Sequence, residues 1–215
     1  MVRRVFVDTS VLFPFSVMDL FLALSEDGVH QVLWTDELLE EWERVIVREQ
    51  RRTPETARSV TAAIREFFAD CRILPESYAT LIDQMPGNDP DDHVHMAAAV
   101  AAGVDTLVTA NRADFPTGPL RKLGVEVMGP DAYLTELFED LPSEVTGAVL
   151  RIAGERTRPP ITPSDLLTAL RGAGLHAFPT ELRAGCRRPA PEQTTDVASS
   201  PTSSRDGHSA KAHPM

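Results

Sequence analysis

Val5-Phe6-Val7-Asp8-Thr9-Ser10 lies within the first ten residues of the chain and sets how the rest is read. An apolar, β-favouring run that stops at a carboxylate is the pattern of a buried strand delivering an acid to the end of a sheet, as in open α/β folds. Asp8 could equally open a turn or cap the next helix, since Asp and Ser favour both places. The other acids of the chain decide between the two.

Downstream, short apolar runs alternate with helical patterns. Pro14 breaks the run Val11-Leu12-Phe13-Pro14-Phe15, and Ser16 with Asp19 resembles a capping box ahead of Leu20, Phe21 and Leu24. Val32-Leu33-Trp34 reads as a strand, followed by an amphipathic helix from about Glu37 to Glu49 that repeats Leu38, Trp42, Val45 and Ile46 on one side. On this helix Glu41 and Glu43 fall on opposite borders of the apolar stripe and Glu40 points away. Spacing therefore excludes Glu40 without choosing between the other two. Arg44, Arg48, Arg51 and Arg52 make the end of the helix and the next loop basic. Thr53-Pro54 starts a helix carrying Ala57, Val60, Ile64, Phe67 and Phe68, and Cys71-Arg72-Ile73-Leu74 suggests a short strand stopped by Pro75.

A second informative stretch is Pro86-Gly87-Asn88-Asp89-Pro90-Asp91-Asp92, a turn crowded with carboxylates that leads into a small-residue helix closed by Gly103. Asp92 shares a face with Met96, Ala99 and Val100, at the N-terminal end of the buried stripe. Acids in a first helical turn complement the helix dipole, but that accounts less well for one on the inward face. Thr106-Leu107-Val108-Thr109 is again a short strand running into polar residues, Asn111-Arg112-Ala113-Asp114. Val125 to Met128 makes a last strand, and Pro130-Asp131 opens a helix. This alternation implies an α/β fold, a mainly parallel sheet covered by helices on both faces, over residues 1–140. Residues 141–186 read as a helical appendage, and residues 187–215, rich in Pro, Ser and Thr, as a disordered tail.

Composition narrows the function classes. The 215 residues are 42% hydrophobic and 25% charged, as in soluble globular proteins. The net charge of −11 removes any bulk attraction to nucleic acid, so such binding must use a local patch or a bridging cation. Cys71 and Cys186 have no disulfide-framework or zinc-type spacing, which fits a reducing, cytoplasmic setting. No signal peptide or run of membrane-spanning length is evident, so no membrane partner is expected.

The chain thus offers Asp8 after a strand, Glu41 on a helix border, Asp92 at a helix start, and Asn111 or Asp114 after a later strand. In βαβ order these can converge on one edge of the sheet. Carboxylates held that close repel one another and stay partly protonated unless a cation shares them. Hard oxygen donors favour Mg2+, with Mn2+ as the alternative, and such sites perform phosphoryl chemistry. His93 and His95 then read as surface or packing residues, and Trp34 and Trp42 as core.

These stretches resemble the PIN domain over about Val2 to Leu137. Val-Phe-Val-Asp8-Thr-Ser looks like its opening strand and first acid, Leu38-Leu39-Glu40-Glu41-Trp42 like its second motif, Asp89-Pro90-Asp91-Asp92 like its third, and Leu107 to Phe115 like its fourth. Within that family the VapC-type toxins of bacterial toxin–antitoxin pairs are the nearest match. The resemblance implies a Mg2+-dependent endoribonuclease that is neutralised by an antitoxin protein and forms a homodimer. Catalytic roles would pass to Asp8, Glu41, Asp92 and Asp114, and metal binding to Asp8, Asp92, Asn111 and Asp114. Thr9, Ser10 and Thr109 would position waters or phosphate oxygens. One departure matters: Asn111 stands where many relatives carry Asp, leaving Asn111 or Asp114 as the fourth site residue. Two other readings compete. One is a phosphatase with Asp8 as nucleophile, which would want a second Asp where Ser10 stands. The other is a non-catalytic module that binds RNA or antitoxin.

Overall fold

In the computed structural model, which describes residues 2–157 and 159–185, the strand β1 (Arg3–Val7) lies inside a four-stranded sheet. Its neighbours are β2 (His30–Leu33) and β3 (Thr106–Val108), and β4 (Glu126–Met128) extends the far edge, all in parallel. Val5, Phe6, Val7, Leu107 and Val108 are fully buried. Strands covered on both faces read as continuous apolar runs rather than alternating ones, which is why these segments carry so little polar patterning. The β1–β3 register pairs Val7 with Val108, and the Asp8 N–H donates to the Val108 carbonyl at 2.9 Å. Asp8 and Thr109 therefore leave the sheet side by side.

The helices are α1 (Thr9–Leu12), α2 (Phe15–Glu26), α3 (Asp36–Arg48), α4 (Pro54–Phe67), α5 (Pro75–Tyr78), α6 (Pro90–Ala101), α7 (Thr117–Lys122), α8 (Pro130–Asp140), α9 (Pro142–Glu155), α10 (Pro163–Gly172) and α11 (Ala177–Gly185). Thr35 caps α3 through its hydroxyl and the Leu38 N–H at 3.1 Å, and Asp89 caps α6 through the Asp91 N–H at 3.0 Å. Two local expectations are corrected. Ser16 and Asp19 form no capping box: Pro14 stands at the N-cap of α2 without a side-chain bond, and Asp19 is drawn away to pair with Arg156. Cys71–Leu74 forms no strand, because a 3-10 turn occupies Ala69–Cys71 and Pro75 already begins α5, leaving only an isolated parallel bridge between Trp34 and Arg72.

The helices α9 to α11 share one hydrophobic core with the sheet, through Val145, Val149, Leu170, Phe178 and Leu182. The expected tail 187–215 and Cys186 lie outside the described residues. Asp131, in the first turn of α8, ties α11 down by accepting from the N–H groups of His176, Ala177 and Phe178 at 3.0, 2.8 and 2.9 Å. Partial burial opposes the charge, yet these three donors hold the Asp131 carboxyl below its ordinary range. Asp131→Ala should cost about 1–3 kcal/mol and speed amide exchange in α11 before the rest of the chain. Because the folded value is depressed, the difference from the wild type should be full above about pH 4 and shrink in stronger acid.

His30 is the other buried titratable group that bears on stability. Its Nε2 lies 2.8 Å from the Phe21 carbonyl, which can only accept, so Nε2 carries the hydrogen and Nδ1 accepts from the Tyr133 hydroxyl at 2.9 Å. Burial pushes the imidazole down to about 4, against the carbonyl bond that favours protonation. Between that value and the ordinary 6.5 the unfolded chain binds the extra proton, so stability falls as pH drops through this window. The gap corresponds to about 3 kcal/mol at most. Denaturant titrations of wild type and His30→Gln at pH 7, 5.5 and 4.5 should show the difference between them narrowing towards acid.

Candidate functional site

Asp8 stands at the N-cap position of α1, but its side chain makes no cap bond. The carboxylate is 6% exposed, and its Oδ2 accepts instead from the Ser10 hydroxyl at 2.5 Å and the Thr109 hydroxyl at 2.9 Å. Those hydroxyls are themselves fixed: the Ala110 N–H donates to Ser10 at 3.1 Å and the Asn111 N–H to Thr109 at 3.0 Å. Backbone from the end of β3 thus orients the acid at the end of β1. Thr9 does not join this network; its buried hydroxyl acts on the Glu41 carboxyl instead and helps to hold it low.

Asp92 enters from the first turn of α6 and is partly buried. Burial pushes its carboxyl up to about 6, and the charges of Asp8, Asp89 and Asp114 add to the effect. One turn on, His95 packs on Phe6 with ring centroids 5.8 Å apart and donates from Nε2 to the Glu41 carboxylate at 2.8 Å. That bond holds Glu41 below its usual range against the cost of burial. Burial pushes His95 down, but Glu41, Asp8 and Asp92 together raise it above its ordinary value. The choice between Glu41 and Glu43 is resolved by their neighbours: Glu43 accepts from Thr61 on α4 and lies 3.8 Å from Arg65, on the side away from the sheet edge.

Asn111 and Asp114 are partners rather than alternatives, since the Asn111 amide donates to the Asp114 carboxylate. Asp114 is the member whose charge reaches Asp92. His95 was missed as a site residue. The signal lay in its place three residues after Asp92 on an otherwise apolar face, where a packed histidine needs a polar partner.

The structure therefore gathers Asp8, Asp92 and Asp114 at the carboxyl edge of the sheet, and sets Glu41 beside them but bound to His95. Among the described residues no three His, Cys, Asp or Glu side chains are drawn close enough to hold one metal ion between them. A hard divalent cation does not require such a cage, because Mg2+ keeps several waters and uses one or two carboxylates. The donor set fits it on two observations. Burial and the charges of Asp8, Asp89 and Asp114 raise Asp92 towards neutrality against the opposing effect of His95, and the side chains that meet there are hard oxygen donors. Beside Asp92 opens a cleft of about 680 Å3 whose walls include Glu37, Glu41, Asp89, Asp91, Asp92, His95, Arg44 and Arg48, and also Glu40, which helical spacing had turned away.

Comparison with known proteins supplies independent findings. A sequence profile described as VapC50 C-terminal domain matches residues 130–184, from α8 through most of α11. The curated protein described as "Putative ribonuclease VapC50" of Mycobacterium tuberculosis is 37% identical over 94 residues, 43% of this chain and 54% of that protein. The chain thus spans about half the length of that relative. No solved structure matches the chain significantly. The profile for the PIN domain matches residues 4–113, just over half of the 215 residues and the segment that carries β1, Glu41, Asp92 and β3. The chain belongs to the PIN domain family.

Proposed function

We propose that this chain is a Mg2+-dependent endoribonuclease acting as the toxin of a toxin–antitoxin pair. The observation that carries the reading is the crowding of acids at the sheet edge, where burial pushes Asp92 up to about 6 and the charges of Asp8, Asp89 and Asp114 add to it. Folded proteins rarely gather charges in this way without a ligand to use them. The name of the M. tuberculosis relative points to the same class of reaction.

Asp8 and Asp92 are the carboxylates that would hold the cation, with the Asn111–Asp114 pair on its flank. When bound, Mg2+ lowers the pKa of water and offsets charge on the attacked phosphate. Ser10 and Thr109 keep Asp8 in one orientation, so little reorganisation accompanies the reaction. Glu41, kept ionised by the His95 bond, presents its Oε1 to orient the attacking water and accept its proton. The products of phosphodiester hydrolysis are two RNA fragments.

The antitoxin is proposed as a second partner, with an arginine-bearing segment entering the acidic cleft; inhibition should disappear when that arginine is changed. A cytoplasmic homodimer completes the proposal. The test is expression of the chain with and without the small protein encoded beside it, followed by mapping of RNA ends. New 5′ ends confined to cells expressing the chain alone are expected. Identical RNA ends in both cultures, with the chain accumulating to equal levels, would contradict the reading.

A further inference from the structure

The acidic cleft, walled by Glu37, Glu40, Glu41, Asp89, Asp91 and Asp92, also carries cationic side chains. Arg44 and Arg48 stand on its wall, and α3 carries that wall about 10 Å from Glu41 to Arg48. Where α3 ends, the Gln50 N–H donates to Val47 and the Arg51 N–H to Ile46, both at 3.0 Å, with Gln50 at φ 54°. This is a Schellman turn built on a residue other than glycine, a strained choice. It turns the chain back on itself, so that the Arg51 guanidinium lies 5.7 Å from the Phe13 ring centre and that of Arg52 lies 4.8 Å from Phe15.

Phe13, Phe15, Arg51 and Arg52 line a second cleft, of about 320 Å3, that is also lined by Ala169 and Gly172 of α10 and by Ala173 just beyond its end. Both clefts share α3, and α1 leads directly from Asp8 to Phe13. The chain as a whole is acidic at −11, yet four arginines fall between positions 44 and 52. Only Arg48 among them has a carboxylate partner within the described residues, Glu49 at 3.1 Å.

Building on the ribonuclease reading above, we propose that this second cleft is a binding groove for single-stranded RNA, walled by α10, which receives the substrate strand leaving the carboxylate edge. Arg44 and Arg48 meet its phosphates on the way; Arg51 and Arg52, each lying over an aromatic ring, present their guanidinium groups to its bases. Arg44 and Arg48 stand one helical turn apart, at roughly 5–6 Å between their Cβ atoms, so the α3 wall offers contacts to two phosphates of the strand. Arginine planes backed by aromatic rings are stacking platforms for unpaired bases. The small residues of α10 leave room for a base that larger side chains would fill. An acidic peptide would use the arginine charges but gain nothing from the aromatic rings Phe13 and Phe15 beside them, which is why RNA is the occupant argued here.

The test is binding of a fluorescent oligoribonucleotide to the full chain by anisotropy, across a series of salt concentrations. The variant R51S/R52S is compared with R121S/K122S, which removes the same charge from α7. R51S/R52S should weaken binding about ten-fold or more and leave the salt slope nearly unchanged, because these two side chains meet bases rather than phosphates. Ala169→Glu, an exposed position on α10, should weaken binding comparably without lowering the melting temperature. R121S/K122S should bind as the wild type does. The groove is overturned if R51S/R52S and R121S/K122S bind alike, if Ala169→Glu binds as tightly as the wild type, or if a poly-glutamate peptide displaces the RNA at equal concentration. Because binding is read without turnover, a chain that binds but does not cleave would sink the ribonuclease reading and spare the groove. Cleavage with binding indifferent to Arg51, Arg52 and Ala169 would do the reverse.

Discussion

Asp92→Asn is expected to act in two opposite directions, abolishing RNA cleavage while stabilising the cation-free protein. Loss of one stabilising group at a reacting phosphate typically costs about 10^2- to 10^3-fold in rate. Asparagine keeps the shape of Asp92 but cannot carry its charge, so the edge is left with Asp8 as the main anionic donor. The stability effect follows from sign. The carboxyl of Asp92 is raised to about 6 in the folded chain from an ordinary 3.8, so above this window the folded state carries a charge that burial, Asp8, Asp89 and Asp114 oppose. Removing the charge should restore about 1–2 kcal/mol at neutral pH, discounted for partial exposure, which is roughly 2–8 °C in melting temperature at this size. Saturating Mg2+ should raise the melting point of the wild type and leave Asp92→Asn nearly unmoved. A variant that melts below the wild type without cation would contradict the electrostatic account of the site.

Trp42→Ala carries the largest expected loss of stability. The indole is 1% exposed, and its Nε1 donates to the Leu12 carbonyl at 3.0 Å, fastening α3 to the end of α1. Truncation should cost about 3–5 kcal/mol from lost burial and the cavity left behind. Since native domains hold only about 5–15 kcal/mol in reserve, partial unfolding at 37 °C is expected, visible in a urea titration. Trp42→Phe should lose much less in stability, mainly the indole hydrogen bond and some ring volume. It should still slow cleavage, because Glu41 is the residue next to Trp42 and takes its position from the seating of α3. Full activity in Trp42→Phe would mean that Glu41 does not depend on this anchor.

Much of the scaffold was legible because its strands are buried on both faces. Val5-Phe6-Val7 and Leu107-Val108 leave no alternative to a central parallel sheet, and the stop at Asp8 marks its carboxyl edge. Asp92 was reached from the helical register it shares with Met96 and Ala99, although α6 is buried all round from His95 to Ala99 rather than on one face. Glu41 could not be told from Glu43, since both border the stripe of α3; only the helices packed on each side separate them, α6 through His95 and α4 through Thr61. Long-range partners explain the other misses. Asp131 looks like an ordinary first-turn acid until α11 arrives to use it, 45 or more residues on. Asp19 looked like a capping residue because its distant partner, Arg156, has no local signature. The short helix α7 and the helix α11 escaped notice because few apolar residues repeat within them.

The proposed chemistry requires the carboxylates of the sheet edge to recruit a divalent ion for cutting RNA. The most direct measurement is cleavage of an oligoribonucleotide by the purified, antitoxin-free chain, first in excess EDTA and then with Mg2+ restored, for wild type and Asp8→Asn in parallel. The account predicts no cleavage in EDTA, recovery on adding Mg2+ for the wild type, and no recovery for Asp8→Asn. Cleavage that persists in EDTA, or that returns equally in Asp8→Asn, would contradict it.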